Sequence, residues 1–170
     1  MDWFVVDKKY INYLTQFDSH VGYVEYGERL KLHVGILLTI GDFHYYVPIS
    51  SAKPKHQKMS NSLDFHKLLD ESTGYLYAVL NINNMIPVPD NCLTQLKYNQ
   101  VRSFSNEKEK TDYVYLLQKE KALIDNVQDT LQNKALKLYQ KCIAKPDSSL
   151  AARCCNFKML EEKCSSYSDT

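Results

Sequence analysis

The chain has 170 residues, a length typical of one domain that buries its own core, and we predict a single domain over residues 1–170. Its hydrophobic fraction of 44% and charged fraction of 24% are ordinary for a globular protein, and no run of about 18 apolar residues predicts a membrane-spanning helix. The formal net charge of +1 excludes a molecule that attracts polyanions over its whole surface, so any nucleic acid must be held by a local basic patch.

The N-terminal segment MDWFVVDKKY carries an acid at position 2 and only a short apolar patch, which differs from a secretory signal peptide, so we expect a cytoplasmic protein. Five cysteines are present, without CxxC spacing and without a histidine at zinc-ligand intervals. In a reducing compartment such cysteines are expected to be packing thiols. They are Cys92, Cys142, Cys154, Cys155 and Cys164.

The first part of the chain is predicted to be rich in β-strands. Two apolar runs, residues 33–40 and 43–50, flank Gly41 and Asp42, and this spacing is typical of a hairpin because glycine accepts the positive φ of a primed turn. Alternate residues of a strand share a face. In the first run this groups Val34, Ile36, Leu38 and Ile40.

The segment that follows the hairpin is polar and basic. Residues 51–62 are predicted to form an exposed loop, and residues 64–71 a short helix. A third strand is predicted for residues 75–82, because this apolar run follows Gly74 and ends in a polar, asparagine-rich stretch.

The chain changes character near residue 105. Residues 107–141 contain no glycine or proline, and their apolar residues recur at helical spacing, with a predicted break near residues 125–126. Pro146 ends this helical region, and residues 150–162 are predicted to form a last short helix. The fold class is therefore α+β, with a strand-rich part at 1–104 and a helical part at 105–170.

The stretch PISSAKPKH holds the most informative chemistry. Lys53 precedes Pro54, which favours an extended backbone, and in an extended chain Ser51 and Lys53 project to the same side. A hydroxyl beside an ammonium group can hold a phosphate and stabilise the charge that develops on it in a transition state. The alternative is a solvated loop whose lysines only keep the protein in solution.

The sequence argues against metal-dependent and nucleotide-dependent phosphoryl chemistry and is compatible with metal-independent RNA cleavage. No carboxylates stand at metal-ligand spacing, and five glycines form neither a Walker nor a Rossmann pattern, so we predict no metal site and no cofactor. An RNA substrate would then be cut by its own 2′-hydroxyl. Histidine is the usual acid or base at neutral pH, and a mechanism that pairs His56 with His44 or His66 is an alternative.

Five blocks of the chain form a recognisable series: YINYLTQFDSHV, KLHVGILLTIGDFHYYVPISSAKPKH, GYLYAVLNINNMIPVP, the helical YLLQKEKALI with NKALKLY, and CCNFKMLEEK. Together they resemble the ToxN/AbiQ family of toxins from type III toxin–antitoxin systems. The resemblance covers essentially the whole chain. Its most specific element is the pair of hydroxyl residues followed by one spacer and a lysine.

The resemblance implies a fold and a set of site residues. The fold is a small twisted antiparallel β-barrel-like core, related to MazF/Kid toxins, with added helices. The catalytic residues carried over are Tyr10, Lys31, Ser50, Ser51 and Lys53. Ser50 keeps the hydroxyl where some relatives have threonine, and Ala52 stands where relatives can carry proline. A functional tyrosine in the loop before Lys31 is nearest in sequence to Tyr26, at an offset position.

The resemblance also implies a function. The chain is expected to be a metal-independent, sequence-specific endoribonuclease that leaves 2′,3′-cyclic phosphate and 5′-hydroxyl ends and causes growth arrest in phage defence. Its inhibitor is expected to be a pseudoknot RNA whose repeats alternate with toxin in a closed ring of three proteins and three RNAs. Neither DNA nor a membrane is expected as a partner. The residues predicted to contact RNA are Lys55, His56, Lys58, Tyr26, Lys8, Lys9 and Arg102.

Two other functions remain open at this level. One is a non-catalytic module that holds a structured RNA with the same basic loop. The other is a protein-binding regulator whose long helical region forms the interface.

Overall fold

A computed structural model describes residues 1–22, 32–101 and 106–168. Strands dominate the first part of the chain and helices the second. The strands are β1 (Asp2–Val6), β2 (Leu32–Ile40), β3 (Phe43–Ser51), β4 (Phe65–Asp70), β5 (Tyr75–Asn81), β6 (Ile86–Pro87) and β7 (Leu93–Gln95). The helices are α1 (Lys8–Thr15), α2 (Pro54–Gln57), α3 (Glu107–Asn126), α4 (Gln128–Ala144) and α5 (Phe157–Ser166).

The strands form one antiparallel sheet in the order β4-β5-β3-β2-β1-β7, and the two-residue β6 pairs with β3 beside β5. The α+β class is therefore confirmed. The sheet itself is open: among the described residues β4 pairs with β5 and the three-residue β7 with β1, and the two edge strands do not meet. The prediction of a barrel-like core is corrected accordingly.

The β2–β3 hairpin is confirmed, but the single apolar face predicted for β2 is not. Gly41 has φ of +56° in the turn, as predicted. The register shifts between Val34 and Leu38, so alternation is interrupted there. As a result Val34 and Leu38 are buried, whereas Ile36 is 41% exposed.

The helix predicted for residues 64–71 is wrong, because this segment forms the edge strand β4. It pairs along its length with β5 through a turn at Gly74, where φ is +71°. Phe65 and Leu68 are buried in that pairing, so sheet formation outweighs the weak local preference for a helix. The third predicted strand is confirmed as β5.

The helical part follows the predicted pattern closely. α3 and α4 are separated at Val127, next to the predicted break, and α4 ends at Ala144, before Pro146. The last helix starts at Phe157, later than predicted, with the Asn156 side chain accepting from the backbone N–H of Met159 at 3.2 Å. No described helix is both long and apolar enough to cross a membrane.

The helices pack against the sheet around one apolar core. α4 contacts β2, α5 contacts β6, and α3 contacts β4 and β5. The core joins strand residues such as Val47 and Leu80 to helix residues such as Leu131 and Leu138, all of them fully buried. Two of the predicted site residues, Ser50 and Ser51, lie at the end of β3.

Candidate functional site

The end of β3 carries two adjacent hydroxyl residues. Ser50 is opposite Val79 and Ser51 opposite Ala78 of β5, so their backbone is held in the sheet. Ser51 is exposed, whereas Ser50 is half-buried and its Oγ accepts a hydrogen bond of 3.2 Å from Asn81 Nδ2. The strand therefore presents Ser51 to solvent and restrains Ser50.

Lys53 lies two residues further on, at the point where the chain leaves the sheet. Its backbone is extended, with φ of −120° and ψ of 157°, as predicted for a residue before proline. Its side chain is exposed, and so are those of Lys55 and Lys58 in the segment that follows. Three lysine ammonium groups are thus within seven residues of the exposed Ser51 hydroxyl in the sequence. This arrangement is suitable for binding the phosphates of a nucleic-acid backbone.

His56 occupies the interior of this segment rather than its surface. It is 7% exposed, and its ring contacts Phe65, with 5.7 Å between ring centroids. Its Nδ1 accepts a hydrogen bond of 3.1 Å from the backbone N–H of Lys53. Burial, together with the charges of Lys55 and Lys53, lowers the pKa of His56. His56 was expected to be an exposed residue that contacts RNA, and the structure corrects the expected exposure, since the ring is turned inward.

Tyr10 is also separated from the end of β3. It is fully buried on α1, and its hydroxyl donates to the Pro87 carbonyl oxygen at 2.7 Å. Burial raises the pKa of this phenol. Pro87 pairs with Tyr45, which lies about 20 Å along β3 from Ser51 at ~3.3 Å per residue. The structure therefore gives Tyr10 a place in the core and does not bring it to Ser51.

Lys9 lies near the same edge of the sheet as Ser51. It is exposed in the first turn of α1, directly after β1. Val5 of β1 is opposite Leu32, and His33 is opposite Pro48, so the end of β1, the start of β2 and the end of β3 adjoin. The spacing from β1 to β3 is about 10 Å. Lys8 is exposed beside Lys9. The other predicted site residues lie outside the described residues; they are Lys31, Tyr26 and Arg102.

The other two histidines considered from the sequence do not join His56. His44 lies on the hairpin, where its Nδ1 is 3.2 Å from Thr39 Oγ1. His66 is buried, with its Nδ1 accepting from Lys134 Nζ at 3.1 Å, and burial and Lys134 lower its pKa to about 4. Since neighbouring strand residues point to opposite faces, His66 also points away from Phe65 and hence from His56. The two-histidine hypothesis is not supported.

Asn81 is the contact that sequence reasoning missed. It ends β5 in the asparagine-rich stretch that was used only to mark the end of the predicted strand, and its link to Ser50 depends on the β3–β5 register. Among the described parts of the chain, no three His, Cys, Asp or Glu side chains gather as a metal ion would need. The five cysteines are free thiols, four of them buried, as predicted for packing residues.

Comparison with known proteins places this geometry in context. Residues 3–165 match the family model described as Toxin ToxN, type III toxin-antitoxin system. The chain is 30% identical to endoribonuclease AbiQ of Lactococcus lactis subsp. lactis, over 98% of this chain and 88% of AbiQ. It is also 30% identical to endoribonuclease ToxN of Bacillus thuringiensis subsp. kurstaki, over 96% of this chain and 82% of that protein.

Solved structures agree with the sequence comparison. The structure of AbiQ, described as a lactococcal anti-phage endoribonuclease of a type III toxin–antitoxin system, matches with a TM-score of 0.83 at 29% identity and covers 99% of this chain and 98% of AbiQ. A second structure, which describes selective toxin inhibition by a non-coding RNA pseudoknot, matches with a TM-score of 0.84 at 28% identity. The match covers 99% of this chain and 98% of the chain in that structure.

Proposed function

The chain belongs to the ToxN family of toxins from type III toxin–antitoxin systems, and on that premise we propose that it is a metal-independent endoribonuclease held inactive by an RNA. The observation that carries the proposal is the end of β3, where exposed Ser51 and Lys53 follow Ser50 at the boundary between a rigid sheet and a basic segment. Relatives named endoribonucleases along nearly the whole chain support it.

The proposed reaction uses the RNA as its own nucleophile. The 2′-hydroxyl oxygen attacks the adjacent phosphorus, the bond from phosphorus to the 5′-oxygen breaks, and the products are a 2′,3′-cyclic phosphate and a 5′-hydroxyl. The 2′-hydroxyl proton leaves as the nucleophile forms, and a proton must reach the departing 5′-oxygen. The protein has to align the three reacting atoms and stabilise negative charge on the phosphorane.

The residues at the end of β3 divide these tasks. We assign Ser51 to orienting the 2′-hydroxyl or a phosphate oxygen, because a serine hydroxyl both donates and accepts a hydrogen bond and is a poor base. Lys53 stabilises the phosphorane, and Lys31, which precedes β2 in the sequence, is proposed for the same charge or for the leaving-group proton. Ser50 supports Ser51 through its contact with Asn81.

A basic surface around the end of β3 would bind the rest of the substrate. Lys55 and Lys58 are exposed beyond Lys53, and Lys9 lies across β2 from the end of β3. Their ammonium groups suit phosphates on either side of the cut. Tyr26 and Arg102 are proposed contacts on sequence grounds alone. Specificity for a short RNA sequence belongs to this same surface.

The first test replaces the proposed catalytic side chains. Ser51→Ala and Lys53→Ala should each abolish growth inhibition on expression and reduce RNA cleavage at least a hundredfold, while the midpoint of thermal unfolding changes little because both residues are exposed. Matched controls are Ser149→Ala and Lys145→Ala, exposed in the segment after α4. Normal toxicity of Ser51→Ala would refute the catalytic assignment of Ser51, whereas a wild-type protein that binds RNA without cleaving it would favour a non-catalytic RNA-binding module.

The second test concerns the chemistry itself. Cleavage by the wild-type protein should be unchanged in EDTA, and a substrate with deoxyribose at the cut position should remain intact because it lacks the nucleophile. Product ends are identified by mass, which distinguishes a cyclic phosphate from a linear one. If chelation stops cleavage and magnesium or manganese restores it, the reaction uses a metal ion and this mechanism is wrong.

A further inference from the structure

We propose that His56 is a positioning residue of this site, which acts by fixing the backbone of Lys53 and so directing the Lys53 ammonium group at the scissile phosphate. The inference rests on the proposed function and adds to it a residue that touches neither the substrate nor the reacting atoms. It accounts for a buried histidine in a segment that is otherwise almost entirely exposed and basic.

Two hydrogen bonds join His56 to Lys53. The backbone N–H of Lys53 donates to His56 Nδ1 at 3.1 Å, and the backbone N–H of His56 donates to the Lys53 carbonyl oxygen at 2.8 Å. Both peptide groups of Lys53 are therefore held by one residue. Since the backbone direction at Lys53 sets where its Cβ points, these bonds restrict the region that the ammonium group can reach.

The ring is linked to the strand that presents the serines, β3, through its neighbours β4 and β5. His56 packs on Phe65, and Phe65 is opposite Asn81 in the β4–β5 pair. Asn81 in turn donates to Ser50 Oγ at 3.2 Å. The contacts run from Lys53 through His56, Phe65 and Asn81 back to Ser50, so they close a loop around the end of β3. Lys53 is thereby held relative to Ser50 and Ser51 rather than on a free loop.

The geometry does not suit His56 for direct proton transfer. Its Nδ1 already accepts the Lys53 N–H, which requires the tautomer with the proton on Nε2, and only 7% of the residue is exposed. A general acid or base must reach the atom it protonates or deprotonates, directly or through one water. A role through the backbone of Lys53 fits this burial, whereas a role at the substrate does not.

This arrangement gives the site a pH dependence with a definite sign. Burial, Lys55 and Lys53 lower the pKa of His56 below its usual 6.5, so the ring is neutral at pH 7. Of the charged groups on β4 and just before it, Lys67 donates to the Gln57 carbonyl oxygen at 3.5 Å and Asp64 is paired with Arg153. Protonation places a hydrogen on Nδ1 and removes the acceptor. Positioning of Lys53 is therefore present at neutral pH and lost as pH falls through the lowered pKa of His56.

The decisive comparison is between His56→Ala and His56→Asn. The Asn Oδ1 is attached to Cγ, as Nδ1 is, and can accept the Lys53 N–H without titrating. We expect His56→Ala to lower kcat about 10- to 100-fold with a small change in KM, because misplacement of a group that acts in the transition state costs rate rather than binding. His56→Asn should recover most of kcat and lose less activity than the wild type as the pH falls below 6.5. His44→Asn, on the distant hairpin, is the matched control.

The outcomes separate the two proposals. If the wild-type protein does not cleave RNA, the proposed function fails whatever His56 does. If it cleaves and His56→Ala matches it, or if folded His56→Asn is as impaired as His56→Ala, positioning through this hydrogen bond is overturned. Should His56→Ala fail to fold, ring nitrogen shifts of wild-type His56 decide the question. The Nε2–H tautomer at pH 7 supports the inference, and a proton on Nδ1 overturns it.

Discussion

At the scale of single residues, Gly35 illustrates how the sheet constrains the sequence. It lies within the irregular part of β2, and a Cβ added there would overlap the ring of Tyr46, which is 3% exposed and packed edge-on against Phe4. We expect Gly35→Ala to lower the free energy of unfolding by about 1–3 kcal/mol, the usual cost of overpacking a core. Urea denaturation measures the change.

Gly41→Ala separates overlap from backbone preference. Gly41 has φ of +56° and no atom within 4 Å of an added Cβ, so its substitution costs only the strain of a left-handed conformation, about 1 kcal/mol. Replacing Tyr46 with alanine removes the Cγ, Cδ1 and Cε1 atoms that an added Cβ would meet, so it should reduce the penalty of Gly35→Ala, because the effects of contacting positions are not additive. Equal penalties with tyrosine and alanine at position 46 would mean that the ring is not what excludes a side chain from position 35.

At the scale of elements, the attachment of α5 depends on a buried carboxylate. Glu161 is 5% exposed, and its Oε1 accepts hydrogen bonds from the hydroxyls of Tyr45 at 2.9 Å and Tyr139 at 2.7 Å. Lys158 Nζ lies 2.9 Å from its Oε2. Removing the carboxylate by Glu161→Ala takes the close acceptor from both buried phenols and leaves Tyr45 only the Phe157 carbonyl oxygen, at 3.5 Å. The expected loss of unfolding free energy is about 3 kcal/mol.

The conservative variant Glu161→Gln distinguishes the loss of hydrogen bonds from the loss of charge. Glu161→Gln keeps an oxygen that can accept from both phenols and loses only the charge beside the largely exposed Lys158, so its cost should be about 1 kcal/mol. Glu162→Ala, one position away and exposed, should change stability by less than about 0.5 kcal/mol. Equal losses for the alanine and glutamine variants at position 161 would show that the charge, and not the hydrogen bonds, is what matters.

Elements set by local pattern were predictable, and those set by partners were not. The α3–α4 break follows from helical periodicity, and the β2–β3 turn follows from Gly41. Strand β5 follows from an apolar run. Strand β4 and the register shift in β2 depend on pairing with another strand: β4 forms against β5, and the shift in β2 occurs where β2 meets β3 and the Tyr46 ring. Local propensity carries no information about such partners.

The same division holds for the candidate site. The extended backbone at Lys53 was predictable because an X-Pro dipeptide has a local meaning, and the exposure of Ser51 and Lys53 agrees with that prediction, whereas their assignment to a catalytic site came from the family resemblance. The inward orientation of His56 and the contact from Asn81 to Ser50 arise from how α2 and β5 pack around the end of β3. A histidine in a run of lysines was therefore mistaken for a surface group.

At the scale of the whole molecule, a net charge of +1 must be reconciled with an RNA partner. Binding has to come from local cations, chiefly Lys53, Lys55, Lys58 and Lys9, which the structure shows as exposed. Each phosphate contact releases condensed counterions, so affinity depends on salt. With three or four contacts, affinity of the catalytically inactive Ser51→Ala protein for its RNA should fall roughly thirtyfold between 0.1 and 0.4 M salt. Lys55→Ala should make that dependence shallower, and a salt-independent affinity would contradict this binding mode.

The regulator is expected to be a folded RNA that occupies the same basic surface, so that inhibition is simple competition with substrate. The proposed assembly is a closed ring in which three toxins alternate with three pseudoknot repeats, because two different contact surfaces on each protein generate a ring when the rotation closes. The complex purified from its native operon should have one mass, fitting equal numbers of protein and RNA. Complete nuclease digestion of the RNA should release cleavage activity. Inhibition that survives digestion and follows a co-purified protein would instead identify a protein antitoxin.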